Sequence, residues 1–226
     1  MTVKRLDSES EEYVKAREKL LKAEIELKDH LERVAELRRS LPQGAVVDDY
    51  QFHECKRSAG ERETGSREVR LSELFTDPSK PLIIDHFMYG GSQTEPCPMC
   101  TMWADGYDAI VPHIEQRANF AVVAEAEIDK IHDHARTRGW KNLRLVSSHG
   151  TSFKTDFKMQ DADGGQHPGI AVFTRDDDGT IHHFYTGEAI MAEGHWRGVD
   201  LLSPVWHLFD LLPGGRGDWF PKLSYR

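Results

Sequence analysis

Apolar residues recur at alternating three- and four-residue intervals at Tyr13, Ala16, Leu20, Ala23, Leu27, Val34, Leu37 and Leu41, with His30 in the one slot that breaks the series. Residues 7–41 contain neither glycine nor proline, and the run stops at Pro42 and Gly44. The spacing predicts one long helix with a narrow apolar stripe. Such a stripe suits a coiled-coil dimer arm, although a parallel pair would set Arg33 against Arg38. It suits equally a helix laid on its own domain or on a partner's globular body.

Beyond this arm the period changes. Residues 46–65 are polar and irregular, with 48–52 the best candidate for a short strand, followed by a Gly/Ser/Arg/Glu-rich connector. Residues 71–75 read as one helical turn. Pro81 opens an apolar-rich run, 82–88, bounded by Gly90 and Gly91, which predicts a buried strand. A helix over 97–115, a strand over 119–124, a helix over 125–138 ending at Gly139 and a strand over 143–147 follow. Two more strands, 170–174 and 180–185, flank the hairpin signal Asp176-Asp177-Asp178-Gly179. A closing helix spans 204–212. Strands alternating with helices predict an α/β sheet, so the chain divides into a helical arm, 1–44, and one α/β domain, 45–226.

Composition narrows the function. With 29 Lys+Arg against 38 Asp+Glu the formal charge is −9, which disfavours a nucleic-acid partner because no cationic excess exists to release counterions. The longest apolar stretch stops at Asp85, far short of a membrane span. Charged residues from Lys4 onward leave no secretion core, so a cytoplasmic address is expected. Three cysteines are too few for a disulfide scaffold of this size and point to reactive or metal-binding thiols.

Cys97-Pro98-Met99-Cys100 is the central motif. If Cys97 starts a helix, unpaired backbone N–H groups and the helix dipole favour its thiolate and make it the attacking sulfur. Cys100, one turn inward, then resolves the mixed disulfide. Pro98 fits the first helical turn, where its missing N–H is tolerated. Zinc is the competing use of two such thiols, and His53 and Cys55 could complete the ligand set. Against zinc, Thr101-Met102-Trp103-Ala104-Asp105 continues as a helix where a metal knuckle would turn back.

The run from His86-Phe87-Met88-Tyr89-Gly90, through Cys97-Pro98-Met99-Cys100 and Trp103-Ala104-Asp105-Gly106, to Val146-Ser147-Ser148, Phe153 and Asp156-Phe157 resembles a bacterial thioredoxin-like family of unknown function, labelled predicted dithiol-disulfide oxidoreductases. The resemblance covers nearly the whole chain. It implies a thioredoxin-like fold, a central mixed sheet flanked by helices, with the N-terminal helix as an extension. The motif and this resemblance together lead us to expect a thiol-disulfide oxidoreductase acting on a protein or small-molecule thiol or disulfide, with no cofactor and no metal, and the apolar stripe leaves room for a homodimer through the N-terminal helix. Asp85 is similar in place to the buried carboxylate that accepts a proton from the resolving cysteine in thioredoxins. Pro168, in His167-Pro168-Gly169-Ile170, is similar to their cis-proline, and with Pro98 it is the candidate substrate contact.

Two departures keep alternatives open. Pro96 stands where thioredoxins carry Trp, and Thr94-Glu95-Pro96-Cys97 looks like the Thr-x-x-Cys of peroxiredoxins. Peroxide reduction, with Cys97 passing through sulfenic acid, is therefore an alternative, as is a zinc-binding or scaffold module. Other motifs fail on spacing. His182 and His183 point to opposite faces of one strand, His132 and His134 do not share a helix face, and Asp161-Ala162-Asp163-Gly164 lacks the glutamate that would close a calcium loop.

Overall fold

The computed structural model describes residues 6–55, 65–90 and 93–225. They fall into two compact units, divided along the sequence between Pro42 and Gln43. The first is a single helix, α1 (Glu11–Arg39). Its Ser10 hydroxyl accepts the Tyr13 N–H at 3.2 Å, Glu11 and Glu12 occupy the first turn, and Arg38 and Arg39 the last. Each matches the sign of the helix dipole. None of its residues is buried, and Leu20, Leu27 and Leu37 of the predicted stripe are exposed.

The second unit is built on seven strands: β1 (Gln51–Cys55), β2 (Ser66–Arg70), β3 (Leu82–His86), β4 (Asn119–Ala124), β5 (Leu145–Ser147), β6 (Gly169–Arg175) and β7 (Ile181–Glu188). Their order across the sheet is β2-β1-β5-β4-β3-β6-β7. The three middle strands β3, β4 and β5 run parallel, joined by helices α2 (Pro98–Ile114) and α3 (Ile128–Arg138), because parallel neighbours need a crossover. Strands β6 and β7 return antiparallel on the other side of β3. This strand-helix-strand unit with an antiparallel hairpin beside its first strand is the thioredoxin-like arrangement.

Burial explains the strand sequences. Every residue of β4 is buried, as expected of a strand covered on both faces. In β3 the side chains alternate. Leu82 and Ile84 join Phe52, Phe153 and Phe173 in one core, while Ile83 packs on the other, with Ala104, Phe120 and Val122. Asp85 and His86 therefore leave the strand on opposite faces. Helix α3 ends where predicted, at Gly139, whose φ of 77° is left-handed.

The structure corrects the sequence reading at the sheet edge. The candidate strand over 48–52 begins instead at Gln51, because the Asp49 carboxylate is taken by Ser72, whose N–H and hydroxyl donate at 2.7 and 2.9 Å. Part of the supposed connector is β2, paired in register with β1 and held by Arg67 to Glu54 at 2.6 Å. The small hairpin of β8 (Ile190–Ala192) and β9 (His195–Trp196) was not anticipated. Among the described residues no helix is long and apolar enough to cross a membrane.

Candidate active site

The end of β3 and the start of α2 place the dithiol. After His86 the chain continues through Phe87, whose N–H donates to Val123 O at 2.9 Å, and the Cys97 N–H donates back to Met88 O at 3.0 Å. Cys97 is the N-cap of α2, with β-region φ and ψ, and Pro98 is the first helical residue. Thr101 anchors the turn, its hydroxyl donating to the Cys97 carbonyl at 3.0 Å and sharing a 3.1 Å hydrogen bond with His134 Nε2 of α3.

The two sulfurs occupy unlike surroundings. Both cysteines are free, Cys97 half-buried and Cys100 buried. The Cys100 thiol donates to the Cys97 sulfur and brings its pKa down to about 6; the backbone N–H groups of Cys100 and Met99 add to this, against the opposing effect of burial. Cys100 is pushed well above its usual value by that same donated proton, by burial, and by the negative charges of Cys97 and Asp85. Cys97 is therefore the better nucleophile at neutral pH, and Cys100 holds its proton.

Asp85 lies behind Cys100. Burial raises its carboxyl to about 7, with Lys154 opposing. Asp85, Cys100, Trp103, Tyr107, Pro168 and Gly169 line a cavity of about 20 Å³, room for one water-sized molecule. Within it Asp85 Oδ2 and Trp103 Nε1 have no hydrogen-bond partner. A buried carboxyl and a buried thiol that line one cavity of this size are placed to exchange a proton across it.

Of the residues singled out from sequence, the structure thus brings together Cys97, Cys100, Asp85 and Pro168. Pro98 stays at the helix start and does not line the cavity. The His167–Pro168 bond is trans, since the described residues hold no cis peptide; the isomer implied by the resemblance is not the one observed. Pro168 nevertheless stands beside the motif because Gly169 pairs with His86 across β3 and β6. A Cβ on Gly169 would lie 2.8 Å from Met159 Sδ and 3.0 Å from Gly187 O, so only glycine fits. Among the described residues no three His, Cys, Asp or Glu side chains converge as metal ligands, so His53 and Cys55 do not complete a ligand set with Cys97 and Cys100.

Sequence reasoning missed Lys154. It sits in the short helix α4 (Phe153–Asp156) and is 1% exposed. Its Nζ donates to Phe87 O at 2.9 Å and to Gln166 Oε1 at 2.7 Å. The signal was its place between Phe153 and Phe157, two positions already quoted for the family resemblance.

A thioredoxin-like domain with an asymmetric dithiol at a helix N-terminus is the class these observations define. The chain belongs to the family described as bacterial protein of unknown function (DUF899), whose model matches residues 3–225. No curated protein matches it. Among solved structures it is similar to AhpC from Mycobacterium bovis, at 17% identity over 74% of this chain and 96% of that one, with a TM-score of 0.47. It is also similar to the mitochondrial 2-Cys peroxiredoxin from Plasmodium falciparum, at 13% identity over 75% and 95%, with a TM-score of 0.46. A third is reduced Prx3 from Vibrio vulnificus in complex with hydrogen peroxide, at 11% identity over 67% and 86%, with a TM-score of 0.46.

Proposed function

We propose that the protein is a thiol-disulfide oxidoreductase. The observation that carries the reading is the contrast between a half-buried Cys97 favoured as thiolate and a buried Cys100 kept protonated. In the oxidising half-reaction the Cys97 thiolate attacks one sulfur of a substrate disulfide. A Cys97–substrate disulfide forms, and the other substrate sulfur leaves as a thiolate that takes a proton from solvent. Cys100 then loses its proton to the Asp85 carboxylate and attacks Cys97 Sγ. The Cys97–Cys100 disulfide forms, the second substrate thiolate leaves, and Asp85 returns its proton to it. Two electrons have passed from the protein dithiol to the substrate disulfide.

Pro168 is the proposed substrate contact, beside Cys100 in the cavity wall, with Pro98 a second contact at the mouth of the helix. The substrate class is a protein or small-molecule disulfide.

The test is equilibration of the full chain in glutathione buffers, read by the mass added on thiol alkylation, together with a Cys100→Ser variant. A reversible two-electron transition of Cys97 and Cys100, and a mixed disulfide that accumulates in Cys100→Ser but not in Cys97→Ser, are expected. Absence of any transition would refute the reading. Oxidation of Cys97 by hydrogen peroxide far faster than that of a free thiol would replace it with peroxide reduction.

A further inference from the structure

Lysine is almost never fully buried without an anionic partner, since removing an ammonium from water costs several kcal/mol. Lys154 is fully buried, yet both of its hydrogen bonds run to neutral oxygens, Phe87 O at 2.9 Å and Gln166 Oε1 at 2.7 Å. An apolar chain of similar length would fill the same volume without that cost. Burial lowers the Lys154 pKa to about 8, opposed by the negative charges of Cys100, Asp85 and Glu125, the neighbours that can balance the ammonium. The titratable groups around Nζ are Asp85 and His86 from β3, Cys100 from α2 and Glu125 after β4. Glu125 faces His149 at 3.4 Å. His86 is buried, with neither ring nitrogen hydrogen-bonded, stacked on Phe153 at 5.4 Å, and its burial and the nearby ammonium keep it neutral.

We infer that Lys154 is a positioning residue of the dithiol site, whose ammonium is the counter-charge for the anion shared between Asp85 and the Cys100 sulfur and whose hydrogen bonds tie together the two segments framing Cys97. The inference rests on the thiol-disulfide reading above. In the resolving step the proton leaves Cys100 for Asp85, so the pair carries one negative charge before and after the transfer. A positive charge near both groups, held in place by Phe87 O and Gln166 Oε1, stabilises that charge wherever it sits and needs no rearrangement as the proton moves. The hydrogen bonds supply the geometry. Phe87 begins the loop that leads to Cys97. Gln166 lies two residues before Pro168, packs closely on Gly90, where a Cβ would come within 3.2 Å of its side chain, and donates to Gly164 O at 3.3 Å. One ammonium thus fixes the start of the Cys97 loop against the approach to Pro168.

The experiment is the two-step reaction of the reduced full chain with an aromatic disulfide that releases a coloured thiolate. The first release reports attack by Cys97 and the second reports resolution by Cys100, each followed against pH. In Lys154→Met the second release at neutral pH is expected to slow by about tenfold, the effect of one pKa unit, with its pH midpoint moved upward. Lys154→Arg should recover most of the rate, and in an Asp85→Asn background, where the charge falls on Cys100 alone, Lys154→Met should still move the midpoint upward. A Lys154→Met protein that folds and keeps both the rate and the midpoint overturns the inference. A wild-type chain that gives no second release at any pH overturns the thiol-disulfide reading itself, a distinguishable failure.

If Lys154→Met does not fold, carbon-13 labelling at lysine Cε in the wild-type chain gives the same answer. Coupling between two sites is reciprocal, so the Lys154 titration should differ between the dithiol and disulfide forms. Identical titrations overturn the inference.

Discussion

Asp85 carries a stability cost that depends on pH, and the cost has a definite sign. Its folded carboxyl titrates near 7 against an ordinary value of 3.8, so between those values the folded protein holds a proton that the unfolded chain has lost. Stability must then fall as pH rises through this interval and level off above about 7. At about 1.36 kcal/mol per pH unit the full displacement is worth about 4 kcal/mol. Asparagine keeps the shape and removes the charge. Asp85→Asn is therefore expected to be nearly neutral at pH 4 and to stabilise the reduced protein by about 2 to 4 kcal/mol at pH 8, the lower figure applying if Lys154 offsets part of the cost. Urea denaturation of both proteins across pH 4 to 8, with reductant present, measures the difference directly. A constant difference across this range would refute the upward displacement of the Asp85 carboxyl in the folded protein. The same variant should lose the resolving step, the exchange of stability for activity expected where a buried charge serves chemistry.

The remaining predictions concern packing and assembly. Gly169→Ala places a methyl against Met159 Sδ and Gly187 O and is expected to cost about 1–3 kcal/mol, seen as a lowered urea midpoint with unchanged slope. Phe153→Ala removes the fully buried ring that meets Tyr50, Phe52, His86, Phe157 and Phe173, and about 3–5 kcal/mol should go with it; a loss under 1 kcal/mol would contradict its central place in that core. For α1 the dimer-arm alternative can be tested, since in a parallel pair Glu12 would face Arg17 and Lys19 would face Glu24 of a second copy, while Arg33 and Arg38 would repel. Light scattering should then show a dimer that Leu27→Asp converts to monomer. A wild-type monomer at every concentration would remove the pair.

What was legible in the sequence was local. Cys97 and Pro98 at the start of α2 follow from the fixed geometry of a helix N-terminus, and β3 and β4 from short apolar-rich runs. The juxtaposition of Asp85 and Cys100 was legible only through resemblance, because it depends on β3 lying under α2. Lys154 was legible only as a neighbour of Phe153 and Phe157: a lysine in a short polar turn ordinarily points to solvent, and only the packing of α4 over β3 buries it. Strand β2 escaped for the opposite reason. Only Val69 of its five residues is buried, so Ser66, Arg67, Glu68 and Arg70 give no alternation strong enough to mark a strand, and its pairing rests on partners in β1. Pro168 shows a third limit, since sequence placed it at a strand start but could not fix its peptide isomer.

The segment just before β1 has a consequence for how a client could be met. Val47 donates its N–H to Ile181 O at 3.0 Å, and the His183 N–H donates to Ala45 O at 2.9 Å, while a Cβ on Gly44 would fall on the His183 carbonyl. The outer rim of β7 is thus already occupied by the protein's own chain over these residues. A foreign polypeptide cannot zip onto the sheet there, which also removes a route to uncontrolled stacking of molecules. On the thiol-disulfide reading proposed above, backbone pairing along these residues of β7 would not be open to a protein client, and recognition would fall to other surfaces, the side chains around Cys97 and Pro168 among them.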